Sequence, residues 1–164
     1  MMKTLKLAGV SFFFLGCSPV APGTFGTLGG VLIAYLLAPS EYFLLWALLV
    51  SAGLYLLGRS LAPFAESQAG KDPGIFVLDE VIGYLITMAW VTGPSLLAMV
   101  VGFGVFRFFD VLKPGPARRM EKIPGGDGIL LDDVVAGLFG LAVMAALRLF
   151  VGEPSIWVHG GGAA

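Results

Sequence analysis

The chain has 164 residues, 57% of them hydrophobic and 13% charged, with a net charge of −1 and a mean hydropathy of +0.91. A soluble domain carries about a quarter charged residues and shows water a largely polar exterior, so this composition points to lipid as the solvent. It also excludes a basic nucleic-acid surface, and a single cysteine, Cys17, excludes a disulfide framework or a zinc-ligand set.

The N-terminus has two lysines, a short apolar run and small residues, superficially the pattern of a secretion signal. The segment that follows, TFGTLGGVLIAYLLAP, does not look like a mature secreted N-terminus, so the start is expected to stay. No charge falls between Leu7 and Ser40, but Pro19, Pro22 and Gly23 split that stretch. Residues 7–17 are too few to cross a bilayer, which takes ~20 apolar residues, and read as an interfacial or re-entrant segment.

Five apolar stretches follow, at 24–38, 42–57, 81–91, 96–109 and 134–150. They predict an all-α polytopic membrane bundle of about five short spans. Several are shorter than a full crossing, so the helices are expected to run on into charged ends, the second through Arg59 towards Ala65. Residues 1–158 read as one domain, and 159–164 as a flexible tail in which His159 is solvated.

With five crossings starting inside, the cytoplasmic pieces are 1–23, 58–80 and 110–133, and they hold eight of the ten basic residues. The opposite loops hold none, and Arg107 and Arg148 lie within spans. That distribution satisfies the positive-inside rule. The same side carries Glu66, Asp72, Asp79, Glu80, Asp110, Glu121, Asp127, Asp132 and Asp133, and only Glu41 and Glu153 fall elsewhere. A positive-inside bias does not collect carboxylates, so a use for them is expected on that face.

Three patches carry the chemistry. In LDEVIGYL (78–85) Asp79 and Glu80 are adjacent, and Asp79 would also serve as a helix N-cap. In FRFFDVLKPGPARR (106–119) Arg107, Asp110 and Lys113 follow at intervals of three along one helix side. An arginine at membrane depth is costly unless paired. The plainer readings are an Arg107–Asp110 ion pair with Lys113 snorkelling, and Lys113, Arg118 and Arg119 as anionic-lipid contacts. In PGGDGILLDDVVAG (124–137) a glycine turn with N–H groups for an anion leads to Asp132 and Asp133, which are expected to open the fifth helix.

Hard oxygen ligands beside lysine and arginine suit Mg²⁺ and phosphate. They point to phosphoryl transfer or hydrolysis on a phospholipid. Cysteine, histidine and haloacid-dehalogenase-type phosphatase chemistries lack their motifs here. A CDP-alcohol phosphotransferase needs a spacing after Asp-Gly that Asp127-Gly128 does not provide. A small transporter needs midplane polar groups or an inverted repeat, and neither is visible.

At SPVAPGTFGTLGG (18–30), LDEVIGYL, FRFFDVLKPGPARRME (106–121) and PGGDGILLDDVVAG the chain resembles the bacterial phosphatidylglycerophosphatase A family. The resemblance implies a Mg²⁺-dependent inner-membrane enzyme that removes the terminal phosphate of phosphatidylglycerophosphate. It carries catalytic roles to Asp79, Glu80, Asp110, Asp132 and Asp133. Of these, Asp79, Glu80, Asp132 and Asp133 are expected to hold one or two Mg²⁺ ions. Arg107 and Lys113, with Thr24 and Thr27 at the start of a helix, are expected to meet the phosphate. Asp110 would be a base for water, a further ligand or the partner of Arg107, and direct attack by a carboxylate to give an aspartyl-phosphate is the alternative to attack by water. Asp127, often apolar in the family, is left out.

Overall fold

The computed structural model describes residues 2–70 and 73–160. Lys71 and Asp72 of the charged face, and residues 161–164 of the expected tail, lie outside the described residues. Those described form seven α-helices and two short 3₁₀ turns. The helices are α1 (Met2–Val10), α2 (Pro22–Leu37), α3 (Phe43–Ala69), α4 (Leu78–Thr87), α5 (Leu96–Leu112), α6 (Gly115–Met120) and α7 (Gly126–Phe150). No strand occurs among the described residues beyond an isolated bridge between Pro94 and Val158.

Two helices are long and apolar enough to cross a bilayer by themselves, Phe43–Gln68 and Gly126–Phe150, and Pro22–Leu37 is apolar but shorter. As expected, α3 continues through Arg59, and it also passes Pro63. The exterior is dense with exposed apolar side chains, among them Leu36, Leu45, Trp46, Leu48, Leu56, Val100, Phe108, Val111 and Phe150. Water would penalise such a surface, whereas lipid is matched to it.

The middle of the molecule is α4. Its ten residues span roughly 15 Å, about half of a hydrocarbon core, and it is enclosed by other helices. Val81, Tyr84, Leu85 and Met88 pack into one apolar cluster with Phe43, Phe106, Ala136 and Met144. Leu78 and Ile82 pack into a second with Val10, Phe76, Ile129 and Leu130. A helix apolar on every side is one that other helices surround.

Lipid tails are as apolar as leucine, so close packing rather than exclusion from water must hold α4 in place. Small residues make that approach possible. A Cβ at Gly137 of α7 would lie 2.5 Å from the Gly83 carbonyl oxygen, and one at Gly83 would lie 2.7 Å from the Asp133 carbonyl oxygen. On the other flank, Gly26 and Gly30 of α2 meet Val77 and Tyr84 at similar range. Glycines on both neighbours therefore let α4 settle between α2 and α7.

The N-terminal segment is a helix with mostly exposed side chains, and a tight aromatic turn follows it. Phe12, Phe13 and Phe14 all have positive φ, a conformation that costs non-glycine residues about 1–2 kcal/mol each. The Val10 carbonyl accepts the Val77 N–H at 3.1 Å, which ties this segment to the approach of α4. At the other end, the backbone N–H of His159 donates to the Gly93 carbonyl at 2.8 Å, while its side chain is exposed.

Candidate active site

The acids converge where α4, α5 and α7 meet. Helix α4 begins at Leu78 with Val77 as its N-cap, and Asp79 and Glu80 occupy its first turn without capping it. Helix α7 begins at Gly126, so Asp132 and Asp133 lie inside it instead of opening it. This corrects the boundary expected from sequence. The apolar run at 134–150 hid the polar first turns, in which Gly128 allows close contact with the Ile123 carbonyl.

One ligand oxygen each from Asp79, Glu80 and Asp133 lies within 4.8 Å of the other two. Asp79 and Asp133 are buried, and Glu80 is half-buried. Asp79 Oδ1 and Glu80 Oε2 are buried without a hydrogen-bond partner. Buried acceptors are normally satisfied, and three carboxylates at this range repel one another when ionised. Both features suit a cation with oxygen ligands.

Asp132 is not in that group. Its Oδ2 accepts from Lys113 Nζ at 2.7 Å, and its Oδ1 accepts the backbone N–H of Asp133 at 2.9 Å. Neighbours on a helix point about 100° apart, so adjacent aspartates face different partners. Lys113 also binds Glu121 at 2.5 Å. Burial works against its charge, but the two carboxylates outweigh that effect and hold its ammonium above the usual lysine range. Lys113 caps α5 with φ 46°, a left-handed geometry that is strained for a non-glycine residue.

Arg107 Nη1 is ion-paired with Asp110, and Asp110 also reaches Asp133. The pair therefore adjoins the three-carboxylate group. Sequence reasoning missed two contributors. Glu121 shares Lys113 although nothing in its spacing marks it. Gly23 opens α2 against the site: a Cβ there would strike Glu80 Oε1 and come within 3.1 Å of Arg107 Nη1. Gly23→Ala is accordingly expected to lower turnover about tenfold through a displaced Glu80, while Tm stays nearly unchanged because both contacted groups are flexible tips. Wild-type kinetics for this variant would remove Gly23 from the site.

The threonines divide. Thr27 is buried, and its hydroxyl donates to the Gly23 carbonyl at 2.8 Å, so it is spent within its own helix. Thr24, half-buried, sits beside Gly23 in the first turn of α2. Asp127 lies apart from the carboxylate group. Its Oδ1 accepts from Tyr55 Oη at 2.6 Å and pairs with Arg59 Nε at 3.3 Å, fixing the start of α7 to α3.

Acids, a paired arginine and a paired lysine thus gather at one end of an apolar bundle, and known proteins share the chain's pattern. The chain is 35% identical over 156 residues to phosphatidylglycerophosphatase A of Haemophilus influenzae, covering 92% of this chain and 93% of that one. It is 34% identical over 147 residues to phosphatidylglycerophosphatase A of Escherichia coli, covering 86% and 80%. It is 37% identical over 149 residues to a Bacteroides thetaiotaomicron protein named "Putative phosphatidylinositol-3-phosphatase", covering 85% and 91%. No solved structure matches it. The phosphatidylglycerophosphatase A family matches residues 9–148, a range that includes Asp79, Glu80, Asp110, Asp132 and Asp133; the chain belongs to that family and is a membrane-embedded phosphatase.

Proposed function

We propose that the enzyme hydrolyses the terminal phosphomonoester of phosphatidylglycerophosphate, releasing phosphatidylglycerol and inorganic phosphate in glycerophospholipid biosynthesis, with Mg²⁺ as cofactor. The observation that carries this reading is the closure of Asp79, Glu80 and Asp133 within 4.8 Å beside the Arg107–Asp110 pair. Those three carboxylates are the ones that would hold Mg²⁺. When bound, the ion would polarise a phosphoryl oxygen and orient a water.

The remaining groups act on the phosphate directly or through one another. Arg107 has a five-donor fork of which the Asp110 bond uses part, leaving donors for phosphoryl oxygens. Asp110 is its positioning partner. Lys113, held by Asp132 and Glu121, sets a second positive charge near the first. Asp132 thereby serves the phosphate side of the site through Lys113, and Thr24 lies at its α2 edge. In the net reaction a water oxygen bonds to phosphorus, the ester P–O bond breaks, and the glycerol oxygen takes a proton.

The site is assigned to the cytoplasmic face of a bacterial inner membrane, on the distribution that leaves eight of ten basic residues on the side of the acids. About five short crossings, N-terminus inside, accord with that distribution, with α1 and its phenylalanine turn in the interface.

Phosphate release from phosphatidylglycerophosphate in detergent tests the activity, with phosphatidylinositol 3-phosphate as competing substrate. Preference for the former supports the proposal. No release from it, or faster release from the inositol lipid, overturns it. Chelation followed by dialysis is expected to lower turnover at least about a hundredfold, with recovery on adding Mg²⁺. Full turnover in chelator would remove the metal from the reading.

A further inference from the structure

The far end of α7 carries a second unusual cation. Arg148 lies in its last turn, fifteen residues and roughly 22 Å along the helix from Asp133. It is 6% exposed, and its Nε, Nη1 and Nη2 are all buried without a hydrogen-bond partner. Its guanidinium carbon sits 5.0 Å from the centre of the Trp90 ring. The ion pairs of the described residues involve Arg59, Arg107 and Lys113, and none reaches Arg148.

Two interactions favour the charge where it stands. A cation suits a helix C-terminus, and a guanidinium stacks well on an indole face. Neither provides a hydrogen bond to the guanidinium here, so the donor fork stays unfilled. A buried cation with unmade donors is the costliest kind of polar group. The neighbouring space explains its retention. Arg148 lines a cavity of about 220 Å³ together with Trp90, Leu149, Pro154, Trp157 and Val158. Trp157 supplies no acceptor, because its indole N–H is a donor already bonded to the Val151 carbonyl at 2.8 Å.

We propose that this cavity is a phosphate-binding site, separate from the acidic site, in which the Arg148 guanidinium, whose nitrogens are closed off in the empty protein, turns its donor edge beside Trp90 to grip two oxygens of the anion. Phosphate geometry matches the planar fork. The apolar walls and two tryptophans suit the level where a bilayer meets water, which is where lipid phosphodiesters lie. A lipid headgroup and free phosphate offer the same chemistry, and they are separated by experiment. The proposal is independent of the reaction assigned above.

The test uses the full chain, purified free of lipid in detergent and chelator, and follows Tm as inorganic phosphate or short-chain phosphatidylcholine is titrated. A saturable rise in Tm is expected for wild type and for Asp133→Asn, but not for Arg148→Gln. A rise with phosphatidylcholine alone identifies a lipid headgroup site, and a rise with inorganic phosphate alone a free-anion site. Arg148→Lys keeps the charge without the fork and is expected to bind about tenfold more weakly. It carries the comparison if the glutamine variant does not fold. Phosphate release should be unchanged in each folded Arg148 variant. Equal responses of wild type and the Arg148 variants, or no response in wild type, would overturn the proposal.

Discussion

Asp133→Asn is expected to lower phosphate release by roughly 10³-fold while the protein remains folded. The substitution preserves side-chain volume, so the contact between α4 and α7 survives. What it removes is one of the three carboxylates that lie within 4.8 Å of each other. An amide oxygen is a neutral and weaker ligand for a hard cation. Losing about 4 kcal/mol of stabilisation of the transferring phosphoryl group corresponds to that fold-change. The stability readout has the opposite sign in chelator. With no cation present, the wild-type carboxylates oppose one another, so the variant should melt at the same temperature or higher. With Mg²⁺ present, wild type should gain Tm by mass action, and the variant should gain much less. Near-normal turnover would remove Asp133 from the site. An equal Mg²⁺-dependent gain in both proteins would remove it from the cation's ligands even if turnover fell.

Much of this site was legible in residue types, because ionisable groups in so apolar a chain are costly and must be paired or used. Asp79, Glu80, Asp110, Asp133, Arg107 and Lys113 could all be picked out that way. Their partition could not. Whether Asp132 or Asp133 faces α4 depends on the rotational setting of α7, which long-range packing fixes. Local pattern also missed where α4 and α7 begin, since neither helix has a side-chain cap at its first residue. Thr27 looked available for phosphate, yet its hydroxyl bonds to the carbonyl four residues back, the common alternative for threonine within a helix. Gly23 looked like part of a turn, and its role emerges only from what a Cβ would touch. The depth of α4 was hidden for a related reason. Its sequence resembles a short span, and its enclosure is decided by glycines on α2 and α7 far away in the chain.

Gly137→Ala should therefore cost nearly as much activity as the loss of a carboxylate, although it adds one methyl group about a turn away from Asp133. The new Cβ would lie 2.5 Å from the Gly83 carbonyl oxygen and 3.1 Å from the Gly83 Cα and carbonyl carbon, all of them backbone. A flexible side chain could swing clear, but backbone cannot. Nor can α4 retreat freely, because on its other flank Val77 and Tyr84 already lie against Gly26 and Gly30 of α2. The two helices must part by about 1 Å. Overpacking of this kind costs about 1–3 kcal/mol of stability, which a folded bundle can absorb. The site has less tolerance, since Asp79 and Glu80 ride on α4 and Asp133 on α7. A displacement of about 1 Å between reacting groups lowers turnover roughly 10²-fold. Gly104→Ala on α5 is the matched control: its Cβ would enter open space, and replacing a mid-helix glycine there should raise stability by up to about 1 kcal/mol with turnover intact. If Gly137→Ala instead keeps wild-type turnover and the same Mg²⁺-dependent gain in Tm, the close approach of α4 and α7 does not set the spacing of the carboxylates.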